Sequence, residues 1–360
     1  MSNGTIGLDA DHIDLRDSVR ALATRHITEE SVRAAVEAKD EQLPAWWPTA
    51  ADQGLLGLHL PESAGGAGYG HLELCVVLEE LGRCLAPGPF LPTVLASAVL
   101  HAASHHLHLP GLADGTTVGA VALGGDLSAV VSAQGLIVSG TTAPVSGGQL
   151  ADLFVLPVQV GDDLQWVIVR RGAMTIQHPP SHDLTRRLAV AELDEVPVAA
   201  DAVLSLDHAH PYDLAAVLLG AEATGIADWS TDTATAYAGQ RHQFGRPIGQ
   251  FQAVKHRIAR MLVRTEQARA CVWDAARAAD EEGASEGEAA LAAAVCGAVA
   301  VDAGFGVVKD LVNTLGGIGY TWEHLAGFAL RRTQTSRILL GPSTDWFGKV
   351  AELSLAGVRR

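Results

Sequence analysis

The sequence predicts an α+β fold that runs helices, then strands, then longer helices. Three observations predict it. Apolar residues recur at helical spacing from about Asp11 to Leu107, short apolar runs broken by Gly, Asp and Pro fill Val118 to Leu193, and long apolar helical stretches return after Pro211. The expected domains are an N-terminal helical domain over 1–112, a middle β domain over 113–205 and a C-terminal helical bundle over 206–360.

In the first segment Leu15, Val19, Leu22 and Ala23 share a helix face, and Trp46-Trp47 open a short stretch ending at Gly54. Leu58 to Gly70 is glycine-rich but lacks G-x-G-x-x-G spacing after a strand, so it reads as a connector. A helix is expected over His71–Arg83, with Leu72, Val76, Leu78 and Leu81 on its apolar face, and another from Leu91 to His108. On that second helix His101, His105 and His108 share a face near His106. No carboxylate or thiol joins them, so solvated histidines are expected and no metal site.

The β domain is read from Val118–Leu123, Leu136–Ser139, Leu153–Val158, Trp166–Val169 and Ala189–Leu193, ending near Ala202. Helices are then expected over about 211–240, 249–282, 287–315 and 323–339, with a short one after Pro342. Their length and short connections suggest antiparallel neighbours in a four-helix bundle.

Hydrophobic residues make up 48% of the chain and charged ones 18%, which excludes a disordered chain. The net charge of -16 argues against nucleic-acid binding, and no Lys/Arg stripe is read as reversing it locally. The start lacks a basic-then-apolar leader. Leu214–Leu219 and Ala289–Val301 read as buried helices rather than membrane spans, so no membrane partner and a cytoplasmic location are expected. Cys75, Cys84, Cys271 and Cys296 show no C-x-x-C spacing and read as buried free thiols.

The stretch Arg241 to Gln252 joins cations, two Phe and two Gly between helices, a set that packing alone does not require. An Arg with a Phe-Gly turn suits an anionic, planar ligand, although a lone R-x-x-F-G would more often be a capped helix corner. With Leu315 to His324 downstream, and with Leu60 to Gly66 and Gly135 to Asp152 in the same chain order, it resembles the acyl-CoA dehydrogenase family over nearly the whole chain.

The resemblance implies an FAD at a subunit interface, an acyl-CoA substrate oxidised to enoyl-CoA, and an electron-transfer flavoprotein type of acceptor. It implies that Arg241, Phe244, Ile248 and Phe251 hold the pyrophosphate and adenosine end of a neighbouring subunit's FAD. Asn313, Gly316 and Gly317 join them, with Asn313 in place of the family's Gln, one methylene shorter.

Three departures stand beside these matches. The family's base positions fall on Ala215 and Leu340, neither of which accepts a proton. Asp213 points roughly opposite to Ala215, and Glu222 shares its face but lies about 10 Å further along the axis, so no catalytic residue is assigned. The family's Thr-Glu-Pro and Gly-Ser-Asp ring-binding motifs are missing from Val121–Ser128 and Ser139–Ser146. The expected role is therefore the base-lacking subunit of a heterotetrameric (α2β2) dehydrogenase, resembling those of actinobacterial sterol side-chain degradation and needing a second acyl-CoA dehydrogenase-like chain. A self-sufficient homo-oligomer using Asp213 or Glu222 and a structural subunit without FAD are the alternatives.

Overall fold

The computed structural model describes residues 7–281 and 286–358. Six helices come first: α1 (Ala10–His26), α2 (Glu29–Glu37), α3 (Trp47–Asp52), α4 (His71–Arg83), α5 (Phe90–Ala102) and α6 (Leu109–Ala113). The strands follow as β1 (Gly119–Val121), β2 (Gly125–Ser132), β3 (Gly135–Thr142), β4 (Val145–Ser146), β5 (Leu153–Val160), β6 (Asp163–Arg170), β7 (Thr175–Gln177), β8 (Leu188–Ala199) and β9 (Val203–Leu204). Helix α7 (His210–Gln240) leads to a small hairpin, β10 (His242–Gln243) and β11 (Arg246–Pro247). Helices α8 (Gln252–Asp280), α9 (Glu286–Leu315), α10 (Ala326–Leu340) and α11 (Ser343–Leu355) complete the chain.

The chain divides into two compact units that do not follow chain order. One joins the chain up to Val32 with His71–Ala86 and everything from Ala216 onward; the other holds Arg33–Gly70 and Pro87–Ala215.

In the helical unit α4 and α7 cross backbone to backbone. A Cβ on Gly82 would lie 2.3 Å from the Glu222 carbonyl oxygen, and one on Gly225 would lie 1.8 Å from that of Glu79. Reciprocal glycines are thus required for the approach. Charges then link four helices: Arg20 of α1 forks onto Glu80 at 2.9 and 2.6 Å, while Arg269 of α8 reaches Glu79 at 2.7 Å and Asp228 at 3.2 Å. Burial pushes the Glu79 carboxyl up, and the Arg269 charge and hydrogen bond oppose that rise. At the far end Ala227, Ala234, Met261, Val307, Leu311 and Ala326 form one apolar cluster that joins α7, α8, α9 and α10. The stretch Gly287–Tyr320 is long and apolar enough to cross a membrane, yet 67% of its most apolar window is buried within the protein. Trp346 of α11 seats against it at Gly297, where a Cβ would meet the indole at 2.5 Å. That is the packing of a core helix.

In the other unit a sheet runs β4-β8-β3-β2-β5-β6-β9, with β1 parallel to β5 and β7 paired to β8. Strand β2 lies outside the runs expected from sequence: its apolar Val130 and Val131 are exposed and only Leu127 is buried. The entirely buried stretch Phe90–Leu100 packs α5 against β1, where Ala96 leaves no room for a Cβ on Gly119.

The expected helix from Leu91 to His108 is corrected: α5 stops at Ala102, and Ser104 adopts a positive φ of 55°. His105, His106 and His108 therefore do not continue the His101 face. The rings pair instead as His101–His106 at 6.4 Å and His105–His108 at 5.5 Å, with Arg170 3.5 Å from His108. Among the described residues no group of three or more His, Cys, Asp or Glu could hold a metal ion. All four cysteines are free, Cys75 and Cys296 fully buried.

Candidate functional site

Helix α7 ends where the candidate site begins. The Arg241 amide donates to Tyr237 O at 2.8 Å as the last helical bond, and the Ile248 amide donates back to Arg241 O at 2.8 Å, closing a loop. Within it β10 and β11 pair Gln243 with Arg246 and His242 with Pro247, leaving Phe244-Gly245 as a two-residue hairpin turn. Both residues have positive φ, 51° and 77°, as a type I′ turn demands. Asn-Gly fits such a turn well, whereas Phe at this φ costs roughly 1–2 kcal/mol.

Despite that cost the Phe244 side chain is 89% exposed. An exposed aromatic held on unfavourable backbone points to a surface that contacts something else. Phe251 meets Phe244 edge to face at 6.0 Å and 86°, and the Arg246 guanidinium lies 4.3 Å from the Phe251 ring centre. Gly249 lets the chain return against α7, since a Cβ there would lie 3.0 Å from Ala238 O.

The second expected segment sits at the same end of the helical unit. The Tyr237 hydroxyl donates to Leu315 O at 3.3 Å, tying the last turns of α7 and α9 together. Gly316 follows with φ 69°, opening a short 3-10 turn to Tyr320. A Cβ on Gly316 or Gly317 would meet nothing within 4 Å, so neither glycine is demanded by crowding inside this chain. The Asn313 side chain is exposed on α9, Arg241 is exposed, and Ile248 and Phe251 are half-buried.

Charge around this site corrects the reading that no basic stripe exists. From 241 to 265 the sequence holds Arg241, Arg246, Lys255, Arg257, Arg260 and Arg264 and no Asp or Glu. Asp310 of α9 takes Arg257 at 3.7 Å and Arg264 at 3.2 Å. Arg241, Lys255 and Arg260 make no ion pair with a described residue. The net charge of the whole chain had concealed this local excess, which was the available signal for Arg246 and Lys255. Exposed guanidinium, an exposed and a half-buried aromatic ring, open glycine backbone and an exposed amide together suit an anionic ligand with planar rings.

The two positions expected from the resemblance to carry a base, Ala215 and Leu340, hold no acid. Ala215 is fully buried. Leu340 ends α10, its carbonyl accepts the Trp346 indole N–H at 3.2 Å, and Gly341 follows with φ 85°. The cavity beside it, about 250 Å³, is lined by Gln334, Arg337, Ile338, Gly341 and Pro342, with no acid among them. Glu222 is bound to the buried Arg332 at 2.9 Å. Asp213 lies in the first turn of α7, 9% exposed. In the β unit the Thr142 hydroxyl accepts the Ala191 amide at 2.9 Å and is spent within the sheet.

Two family models match the chain: "Acyl-CoA dehydrogenase, N-terminal domain" over residues 9–115 and "Acyl-CoA dehydrogenase, C-terminal domain" over residues 212–345. The chain is 38% identical to acyl-CoA dehydrogenase FadE34 of Mycobacterium tuberculosis over 96% of its own length and 48% of that protein, and so spans about half of this relative. It is 35% identical to acyl-CoA dehydrogenase IpdE2 of Mycolicibacterium smegmatis, over 92% of this chain and 94% of that protein. Among solved structures a variant of the Tcur3481-Tcur3483 steroid ACAD superposes with a TM-score of 0.88 at 28% identity, covering 96% of this chain and 98% of that one. A chain of the ChsE4-ChsE5 complex from Mycobacterium tuberculosis superposes with a TM-score of 0.89 at 25% identity, covering 98% and 99%.

Proposed function

From the premise that this chain belongs to the acyl-CoA dehydrogenase family, we propose that it is the base-lacking subunit of an FAD-dependent acyl-CoA dehydrogenase. In this reading it completes an FAD site with an unlike, acyl-CoA dehydrogenase-like chain in an α2β2 assembly. The substrate is a bulky acyl-CoA such as a steroid side-chain thioester, and an electron-transfer flavoprotein type of carrier takes the electrons away.

The observation that carries the proposal is an asymmetry within this one chain. The proposed clamp residues Arg241, Phe244 and Asn313 are exposed beside Phe251, Gly316 and Gly317, whereas Ala215 and Leu340, the positions that the resemblance gives to a base, carry no acid and Arg332 holds Glu222. Two similar solved chains, at 28% and 25% identity, come from assemblies whose names pair two unlike components. FadE34, about twice the length of the matching stretch, leaves room for a second such unit on one polypeptide.

Bound FAD would supply the hydride acceptor. This chain's residues would bind and orient it. The Arg241 guanidinium offers paired N–H donors to the pyrophosphate, and Phe244 and Phe251 give apolar faces to the adenosine end. Asn313 adds an amide at its surface, and the bare glycines at 316 and 317 let a ligand approach the backbone. The α-proton would leave to a carboxylate of the unlike chain, since Ala215 and Leu340 cannot receive it. The self-sufficient alternative would use Asp213, nearly buried in the first turn of α7, or Glu222, which Arg332 holds.

Expression alone and together with an unlike dehydrogenase chain tests the proposal. One FAD per two unlike chains, with little flavin on this chain by itself, is expected. One FAD per chain with turnover by this chain alone would overturn it.

A further inference from the structure

Four histidines, at 101, 105, 106 and 108, fall on the end of α5 and the turn after it, and nothing in the flavin reading uses them. Helix α5 stops because Ser104, at φ 55°, turns the chain: the Ser104 amide donates to His101 O at 2.9 Å and the His105 amide to Leu100 O at 2.9 Å. The Leu109 amide then donates to His106 O at 3.2 Å as α6 begins. The turn sets His105 and His108 ring to ring at 5.5 Å, and β6 ends beside them with Arg170, whose Nη2 faces His108 Nδ1 at 3.5 Å. Arg170 is exposed, while His105 and His108 are half-buried.

Among the described residues no carboxylate pairs with His105, His108 or Arg170, although the chain holds 41 Asp and Glu against 25 Lys and Arg. The acids on neighbouring elements are spent elsewhere. Asp114, after α6, accepts the Thr116 amide and hydroxyl at 2.9 and 2.6 Å, and Asp152, next to the strand partner of Arg170, accepts the Val118 amide at 2.9 Å. His105 Nε2 is enclosed and makes no hydrogen bond. Burial first, and then the charges of Arg170 and His105, hold the His108 imidazole below its ordinary value. A neutral ring relieves the repulsion between cations; an anion set among them relieves it with the proton kept.

We propose that His105, His108 and Arg170 bind a tetrahedral oxyanion of the phosphate class, and that it binds together with a proton taken up by His108. The guanidinium offers paired N–H donors and each imidazole one more, from two elements of the fold, which suits oxygens spread over a tetrahedron better than the planar pair of a carboxylate. The anion is free phosphate or the phosphate of an ester, and Leu107, 74% exposed between His106 and His108, gives an ester's organic part an apolar neighbour. These residues lie in the unit that holds the sheet, and Arg241 with its neighbours in the helical unit, so the proposal does not rest on the flavin reading.

Calorimetric titration of the full chain with sulfate, a phosphate stand-in that stays a dianion at every pH used, tests it. Binding at pH 6 should be roughly tenfold tighter than at pH 8, and titrations in two buffers of different ionisation heat should show proton uptake. Arg170→Gln should abolish this binding, and His108→Gln should leave a weaker binding that no longer follows pH, with circular dichroism unchanged in both. Should either variant fail to fold, proton uptake by the native chain, present or absent, still decides. Arg241→Ala should keep the pH-dependent binding, which separates this cluster from the basic segment at 241–265. Inorganic phosphate and phenyl phosphate, compared at pH 6, distinguish the sources: tighter phenyl phosphate assigns an ester, and equal or tighter inorganic phosphate assigns the free ion. Sulfate binding that is absent, independent of pH, or unmoved by Arg170→Gln and His108→Gln overturns the proposal, as does its loss in Arg241→Ala.

Discussion

Arg332 and Glu222, 110 positions apart in the chain, form a buried ion pair: Nη1 lies 2.9 Å from Oε1, and the two side chains keep 1% and 6% of their exposure. Nη2 of the same Arg donates to Ala86 O at 3.3 Å. A general base needs its lone pair free to receive a proton, and here the carboxylate faces a fixed cation. Glu222 thus belongs to the architecture of the helical unit. Arg332→Leu would leave its charge buried without that partner and should cost about 3–5 kcal/mol of stability in urea unfolding. Glu222→Gln should destabilise the chain while leaving turnover per bound FAD in the assembled enzyme unchanged; a collapse of turnover per flavin would restore Glu222 as a base.

Arg241 gives the opposite case. It makes no ion pair with a described residue and is exposed, so Arg241→Ala should alter the chain's own unfolding by no more than about 0.5 kcal/mol. Flavin retention by the assembled enzyme should nonetheless fall by tenfold or more, and Arg241→Lys should recover only part of it, because an ammonium cannot offer the paired donors of a guanidinium. Absorbance at the flavin band after dialysis is the measurement. Unchanged retention in Arg241→Ala would favour a structural corner.

Helix α4 shows how much the residues alone disclose. It begins at His71 and ends at Arg83 as its pattern predicts, since glycines precede it and its apolar spacing is regular. Strand β2 was not read because Leu127, Ala129, Val130 and Val131 follow neither a continuous apolar run nor a strict alternation. The end of α5 was misplaced because a histidine-rich stretch carries no Gly or Pro before Pro110 to mark the stop. The interleaved helical unit depends on Gly82 against the Glu222 backbone and Gly225 against the Glu79 backbone across α4 and α7, contacts between distant positions that no local window contains. At the candidate site the hairpin turn between α7 and α8 was legible because it joins a charge, aromatic rings and glycines in a few positions. The Arg332 lock on Glu222 was not, since it depends on which faces are buried.

Phe244 should reveal a trade between stability and function. Its φ of 51° suits Asn far better than Phe, and its ring is mostly in water. Phe244→Asn should therefore raise the stability of the isolated chain by on the order of 1 kcal/mol while weakening flavin retention in the complex. A variant that is both less stable and fully flavinated would show that the ring serves the fold.

Glu41 gives a prediction about pH. Its Oε1 accepts the Arg187 amide at 3.1 Å, while Oε2 is enclosed without a hydrogen bond. The Arg187 guanidinium meanwhile grips the carbonyls of Ala38 and Lys39 and holds this segment in place. Burial, reinforced by the charge of Asp183, pushes the Glu41 carboxyl up to about 7 against the opposing pull of the Arg187 amide and the charges of Arg186 and Arg187. The folded chain then holds this proton more tightly than the unfolded chain, where the group titrates near 4.5. Its contribution is complete below pH 4.5, declines as pH rises to about 7, and is absent above. Allowing for partial solvent screening, the loss between pH 4.5 and 8 is on the order of 2 kcal/mol. Glu41→Gln cannot ionise and should flatten this part of the stability profile, so that its advantage over the native chain is larger at pH 8 than at pH 5. Urea unfolding at the two pH values measures the difference, and parallel profiles for the two proteins would show that Glu41 ionises as an ordinary surface carboxylate.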